Sequence, residues 1–125
     1  MSNTLPENAA VWFEFPVSDL RASAAFYGNV LETELQIDDA MGQEMAMFST
    51  KNGGVGGNLY TDADAAGGSA VVVHLASPTP LEGALDRVAG TGGKVVSDII
   101  TLPSGGRFAY CLDIDGNRFG LFAQA

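Results

Sequence analysis

The chain holds a single cysteine, Cys111, among its 125 residues. An internal disulfide is therefore excluded, and a reducing, cytoplasmic compartment is expected. Cys111 lies in an apolar stretch, which reads as a buried thiol rather than a nucleophile. Basic residues are scarce too: six Lys and Arg stand against fifteen Asp and Glu, a formal net charge of −9. A surface of this sign, without any Lys/Arg cluster, repels phosphate backbones, so no nucleic acid partner is expected. The acidity is spread along the chain and serves solubility. Apolar runs of about 18 residues are missing, so no membrane association through a spanning helix is expected. The opening MSNTLPENAA has no basic region and no apolar stretch and does not read as a secretory signal. His74 is the only histidine, so a Ser-His or Cys-His triad would have to use it, and no G-x-S-x-G segment accompanies it. The Gly53-Gly54 and Gly56-Gly57 pairs lack a G-K-[ST] sequence and a following helix. They predict a tight hairpin and a close strand approach, not a phosphate loop. Asp113-Ile114-Asp115-Gly116-Asn117 lacks the later ligands and flanking helices of a calcium loop and predicts a hairpin turn.

What the chain does have is an internal repeat. MAMFSTKNGGVGGNLY (45–60) and FAYCLDIDGNRFGLFA (108–123) read as two copies of one strand-turn-strand unit. At an offset of 63, Ala46 falls on Ala109, Gly53 on Gly116 and Gly57 on Gly120. Upstream, VWFEFPVSDLRASAAFYGNVL (11–31) and VVVHLASPTPLEGALDRVAGT (71–91) are each a strand and then a helix. At an offset of about 60, Glu14 falls on His74 and Val17 on Ser77, and one extra residue precedes Leu81, the partner of Leu20. Two modules of strand, helix and three strands account for one domain over 1–125, with modules at about 9–61 and 69–124. With 46% hydrophobic residues the chain can bury a core.

Val11–Val17 alternates, with Trp12, Glu14 and Pro16 on one face and Val11, Phe13, Phe15 and Val17 on the other. Ser18 or Asp19 can cap the helix that follows, whose Leu20, Ala24, Tyr27, Val30 and Leu31 keep near-helical spacing. Strands are predicted at 33–38, 43–49 and 55–60, and a small-residue linker over Asp62–Ser69. The second module predicts a strand at 70–76, a helix at 79–90 entered through Pro78 and Pro80 and ended by Gly90 or Gly92, then strands at 93–101, 106–113 and 118–123. The fold class is α+β with mixed sheets. One strand face packs on the helices, and the other lines whatever the curved sheet encloses. Phe13, Phe15 and Val17 form the helix-side set. Trp12 and Glu14, with Val72, His74 and Ala76, face the hollow.

The βαβββ repeat, FEFPVSDLRASAAFYGNVL, GGKVV and LDIDGNRFGLF resemble the vicinal oxygen chelate superfamily, the glyoxalase I, bleomycin-resistance and extradiol dioxygenase group. The resemblance covers nearly the whole chain. It implies two modules curling around a cleft, with Val55, Gly57 and Leu59 facing it alongside Arg118, Gly120 and Phe122. Metal-dependent members hold one divalent ion with four side chains, mostly His and Glu, from the first and last strands of each module. Those positions fall here on Trp12, Gly57, Val72 and Gly120, or on Asn58 and Val73 with one residue of slippage. An indole nitrogen only donates, and Gly and Val offer no side-chain ligand, so no metal and no cofactor is expected.

Glu14 and His74, partners under the repeat, are the candidate catalytic pair and, with Trp12 and Phe122, the candidate ligand contacts. A carboxylate facing an imidazole serves acid/base chemistry. It serves equally to orient a polar or cationic ligand, or His74 is an interior histidine with its bonds satisfied. Trp12 offers a stacking face for a flat or cationic group or simply packs, and Met41, Met45 and Met47 form an adaptable wall or core filler. Three functions stay open. One is binding of a small organic ligand, cationic or aromatic, as in bleomycin resistance. Another is a lactoylglutathione-lyase-like lyase or isomerase that uses Glu14 and His74 or an atypical metal. The last is an interaction module with a filled cleft. The resemblance also implies a homodimer, which would cover open sheet edges.

Overall fold

The computed structural model describes residues 5–63 and 71–124. Most of the linker predicted at 62–69 falls outside the described residues. The chain divides into two compact units, Trp12–Val71 and Met1–Val11 with Val72–Ala125. The architecture is α+β, and each unit carries one helix on one face of a mixed sheet.

In the first unit β1 (Ala10–Val17), which enters from the arm, is followed by α1 (Leu20–Leu31), β2 (Gln36–Asp38), β3 (Met45–Met47) and β4 (Gly56–Thr61). The sheet order is β2-β3-β4-β1, with β1 parallel to β4 and the other pairs antiparallel. Asp19 is the cap of α1: its Oδ1 accepts from the Ala22 N–H at 3.1 Å, which satisfies one of the helix's orphan donors. Leu20, Leu35, Ala46 and Leu59 are buried together, with Phe15, Val17, Ala24, Tyr27 and Phe48 packed against them. Phe13, Phe15 and Tyr27 each lie 5.1–6.1 Å from Phe48 by ring centroids, so the helix side of the sheet is an aromatic layer. Gly57 sits beneath Phe13, where a Cβ would come within 2.5 Å of the ring.

The second unit runs β5 (Val72–Ala76), α2 (Leu81–Gly90), β6 (Lys94–Val95), β7 (Ile100–Thr101), β8 (Arg107–Leu112) and β9 (Arg118–Ala123). The sheet order is β5-β9-β8-β6, β7 also pairs with β8, and β5 is parallel to β9. The Ala9 carbonyl accepts from the Ala76 N–H at 2.9 Å, which ties the arm to this unit. Leu81, Ala84, Leu85, Ala109, Cys111, Leu121 and Ala123 form its core, with Val88, Ile99 and Phe119 against them. Burial pushes the Cys111 thiol pKa up. The single strand predicted at 93–101 is two short ones. The Ser97 hydroxyl accepts the Tyr110 N–H at 2.8 Å, so a side-chain oxygen takes a backbone acceptor's place and the ladder is interrupted there. The turn between β8 and β9 is closed by Asp113, which accepts from the backbone of Asp115 and Asn117 and from the Asn117 amide. These bonds, the Asn117 side chain foremost, hold the Asp113 carboxyl below its usual range. Among the described residues no helix is long and apolar enough to cross a membrane.

The registers correct one part of the repeat. Within the first unit Glu14 lies opposite Asn58 and Leu59 opposite Ala46. Within the second, His74 lies opposite Gly120 and Leu121 opposite Ala109. The last strand of each module therefore matches at an offset of 62, so Asn58, not Gly57, is the counterpart of Gly120. The expected facing of Val55, Gly57 and Leu59 changes with it. Leu59 is fully buried on the helix side, and Gly57 lies on that same side under Phe13. One residue removed from the hairpin connection between the paired strands suffices, because side chains alternate faces with a period of two.

Candidate functional site

The first unit's sheet face opposite α1 gathers Trp12 and Glu14 from β1, Asn58 and Tyr60 from β4, and Met45 and Met47 from β3. Glu14 is in register with Asn58, and Met47 and Met45 with Asn58 and Tyr60. Asn58 is only 3% exposed, and its Oδ1 accepts from Trp12 Nε1 at 2.7 Å. Its Nδ2 lies 3.4 Å from the Leu59 carbonyl. Gly56 opposite Trp12 leaves room for the indole: a Cβ there would stand 3.3 Å from Cζ3. Trp12, Glu14, Met45, Met47 and Tyr60 are all half-buried. The indole thus spends its one donor on the protein, and what it offers a ligand is its π face. Met41 stands apart in the loop before β3 and is 40% exposed.

In the second unit the face opposite α2 holds His74, Phe108, Tyr110, Gly120 and Phe122. His74 is 3% exposed. Its ring meets Phe108 edge-on at 5.2 Å and Tyr110 at 5.4 Å. Beneath it lies Gly120, where a Cβ would overlap the imidazole. Only a residue without a side chain lets the ring sit there. Phe122 is half-buried and opposite Phe108, and the Arg118 guanidinium lies 4.5 Å above the Tyr110 ring. Trp12 and Glu14 thus belong to one unit, His74 and Phe122 to the other, each on the face away from its own helix.

Asn58 entered the sequence reading only as a slipped alternative to Gly57, Arg118 only as a cleft-facing residue implied by the resemblance, and Tyr60 and Tyr110 not at all. The signal for Asn58 was present: a lone amide inside GGNLY, one residue from a core leucine, demands a partner when buried. Among the described residues no three His, Cys, Asp or Glu side chains cluster as a metal site would need. A shallow open groove on the opposite side of the first unit, between α1 and β2, is lined by Ala24, Gly28, Leu35 and Ile37 among others and touches none of the expected site residues.

The sequence model of the Glyoxalase/Bleomycin resistance protein/Dioxygenase superfamily matches residues 9–121. Among solved structures, a superfamily member from Vibrio splendidus 12B01 is 18% identical, with 94% of this chain and 100% of that one covered at a TM-score of 0.67. Methylmalonyl-CoA epimerase from Mycobacterium tuberculosis is 15% identical, covering 98% and 94% at 0.65. A Streptomyces coelicolor methylmalonyl-CoA epimerase in complex with 2-nitronate-propionyl-CoA is 16% identical, covering 94% and 97% at 0.60. At these identities the likeness is one of fold. None of the curated proteins compared matches the chain.

Proposed function

We propose that this chain, which belongs to the glyoxalase/bleomycin resistance/dioxygenase superfamily, binds a small organic molecule, cationic or aromatic, without a divalent ion. The observation that carries the reading is the Trp12–Asn58 pair. The hydrogen bond fixes the indole and uses up its donor, leaving a π face beside the Glu14 carboxylate and two adaptable methionines. His74 and Phe122 are the contacts proposed in the second unit. The same fold holds 2-nitronate-propionyl-CoA in the Streptomyces epimerase, so the scaffold suits small molecules.

The metal-free part of the reading rests on donor chemistry. The positions that the family resemblance assigns to ligands are Trp12, whose N–H already donates to Asn58, and Gly57, which has no side chain, or with one residue of slippage Asn58, whose Oδ1 receives that N–H. The others are Val72, without a donor atom, and Gly120, whose side-chain space the His74 ring fills. A divalent ion asks for about three or more protein donors, most often carboxylate, imidazole or thiolate, and these residues do not fit it.

The test is a thermal-shift screen of cationic aromatics and thiol adducts, since a ligand that prefers the folded state raises its Tm. Trp12→Ala and Glu14→Gln are expected to abolish the shift of any hit. A hit indifferent to both overturns the reading, as does a stoichiometric metal in the purified protein. A second reading, a lyase or isomerase step run by Glu14 and His74, draws on their equivalent register positions. Lactoylglutathione-lyase turnover lost in Glu14→Gln and in His74→Gln would establish it. We further expect a cytoplasmic homodimer, for which the solution mass is the check.

A further inference from the structure

Two bidentate ion pairs tie a helix to a strand, one in each unit. They occupy equivalent positions with the charges exchanged. In the first unit Arg21, the second residue of α1, meets both carboxylate oxygens of Glu44 at 3.0 and 3.1 Å, just ahead of β3. In the second unit Arg107, the first residue of β8, meets both oxygens of Glu82, the second residue of α2, at 2.7 and 3.0 Å. Buried Leu20 and Leu81 begin the two helices, and fully buried Ala46 and Ala109 are the matching strand residues. Arg21 therefore corresponds to Glu82, and Glu44 to Arg107. The first unit has its cation on the helix, and the second has it on the strand.

The duplication makes a competing assembly available. β1 pairs in parallel with β4 as β5 does with β9, so a β1-α1 segment is shaped to dock on β9, and β5-α2 on β4, within one chain or between two copies. The aliphatic contacts under the helices discriminate weakly. Leu20 and Ala24 bury against Ala46 and Leu59, and Leu81 and Leu85 against Ala109 and Leu121, so both helices meet the same Ala-Leu pair. The glycine seats discriminate, since an exchange would set His74 opposite Asn58 and Phe13 opposite Phe119, and the charges add to them. After an exchange Arg21 would face Arg107, and Glu82 would face Glu44. We infer that these reversed ion pairs form a pairing code that sends each strand-helix segment to its own half of the duplicated sheet. An exposed pair adds little to stability, yet an exchange forfeits two attractions and creates two repulsions. Together these bias the outcome by roughly ten-fold.

The test gives both units one polarity. Arg21→Glu with Glu44→Arg keeps a pair in the first unit but makes it match the second. The Tm is expected to stay close to that of the unaltered chain. Refolding from urea at low salt is expected to give a several-fold larger slow or oligomeric fraction, measured by interrupted refolding and size-exclusion chromatography. Adding Glu82→Arg and Arg107→Glu restores opposite polarity and is expected to restore the yield. The reciprocal double change, Glu82→Arg with Arg107→Glu alone, must reproduce the defect. At about 1 M salt, where the screening length falls to roughly 3 Å, the defect must shrink. Normal refolding of either same-polarity variant overturns the inference. So does a fourfold variant as defective as the doubles, or a defect indifferent to salt.

Discussion

The seat of His74 on Gly120 lends itself to a double-mutant cycle. A methyl group at residue 120 would overlap the Nδ1, Cε1 and Cγ positions of the ring. The ring has little room to withdraw, being 3% exposed and held between Phe108 and Tyr110. Adding a methyl group to a closed site of this kind costs typically 1–3 kcal/mol. For a domain of this length that corresponds to a Tm loss of roughly 4–12 °C, interpolating between smaller and larger domains. His74→Ala alone also destabilises, because it leaves a void beside two aromatic rings. Combined, the two changes relieve each other, since the added methyl group enters the space the imidazole has left. The double variant is therefore expected to be more stable than the sum of the single effects by about 1–2 kcal/mol. Urea denaturation of the four proteins, followed by far-ultraviolet circular dichroism, gives the coupling. Additivity within about 0.5 kcal/mol would show that the ring does not occupy the space above Gly120.

Asn58→Leu removes the acceptor of the half-buried Trp12 indole N–H, and losing a hydrogen bond of this kind costs about 0.5–1.5 kcal/mol. Because Trp12 is the sole tryptophan, its fluorescence anisotropy is expected to drop in Asn58→Leu but not in Asn58→Asp, which keeps an acceptor. Equal anisotropy in all three would mean that the bond does not hold the indole. The helix-strand ion pairs predict an acid limb of stability. Arg107, chiefly through its hydrogen bonds, lowers the Glu82 carboxyl from 4.5 to about 2, and Arg21 lowers Glu44 in the same way. A carboxyl whose folded pKa is depressed stabilises above its unfolded value and loses that contribution as the pH falls toward the folded one. Between about pH 4.5 and 2.5 the unaltered protein is expected to lose more stability than Glu82→Gln does. Parallel pH curves would show that this pair is silent, and salt should flatten the difference.

Much of the fold was legible because the chain says the same thing twice. The alternation in VWFEFPV put Trp12 and Glu14 on one face and Phe13 and Phe15 on the other, and the structure keeps that division. The cap of the first helix was readable as Ser18 or Asp19, of which the structure uses Asp19, and Cys111 was readable as a core thiol from its apolar strand. The site was read less well. Gly57 and Gly120 align in the sequence because each is a glycine beneath a ring, yet the rings are Phe13 on the helix side and His74 on the opposite side. Glycine marks a close approach without telling from which face it comes.

The sequence by itself determined the duplicated strand-helix-strand order and the split between apolar and polar faces. These follow from residue type and period alone, which are local properties of the chain. The tertiary structure decided the register of β4 against β1, the Trp12–Asn58 bond, the imidazole resting on Gly120, and the exchanged polarity of the two ion pairs. Each of those joins residues at least 23 positions apart, and a slip of one residue in a strand reverses its facing, so only the folded arrangement of the strands could settle them.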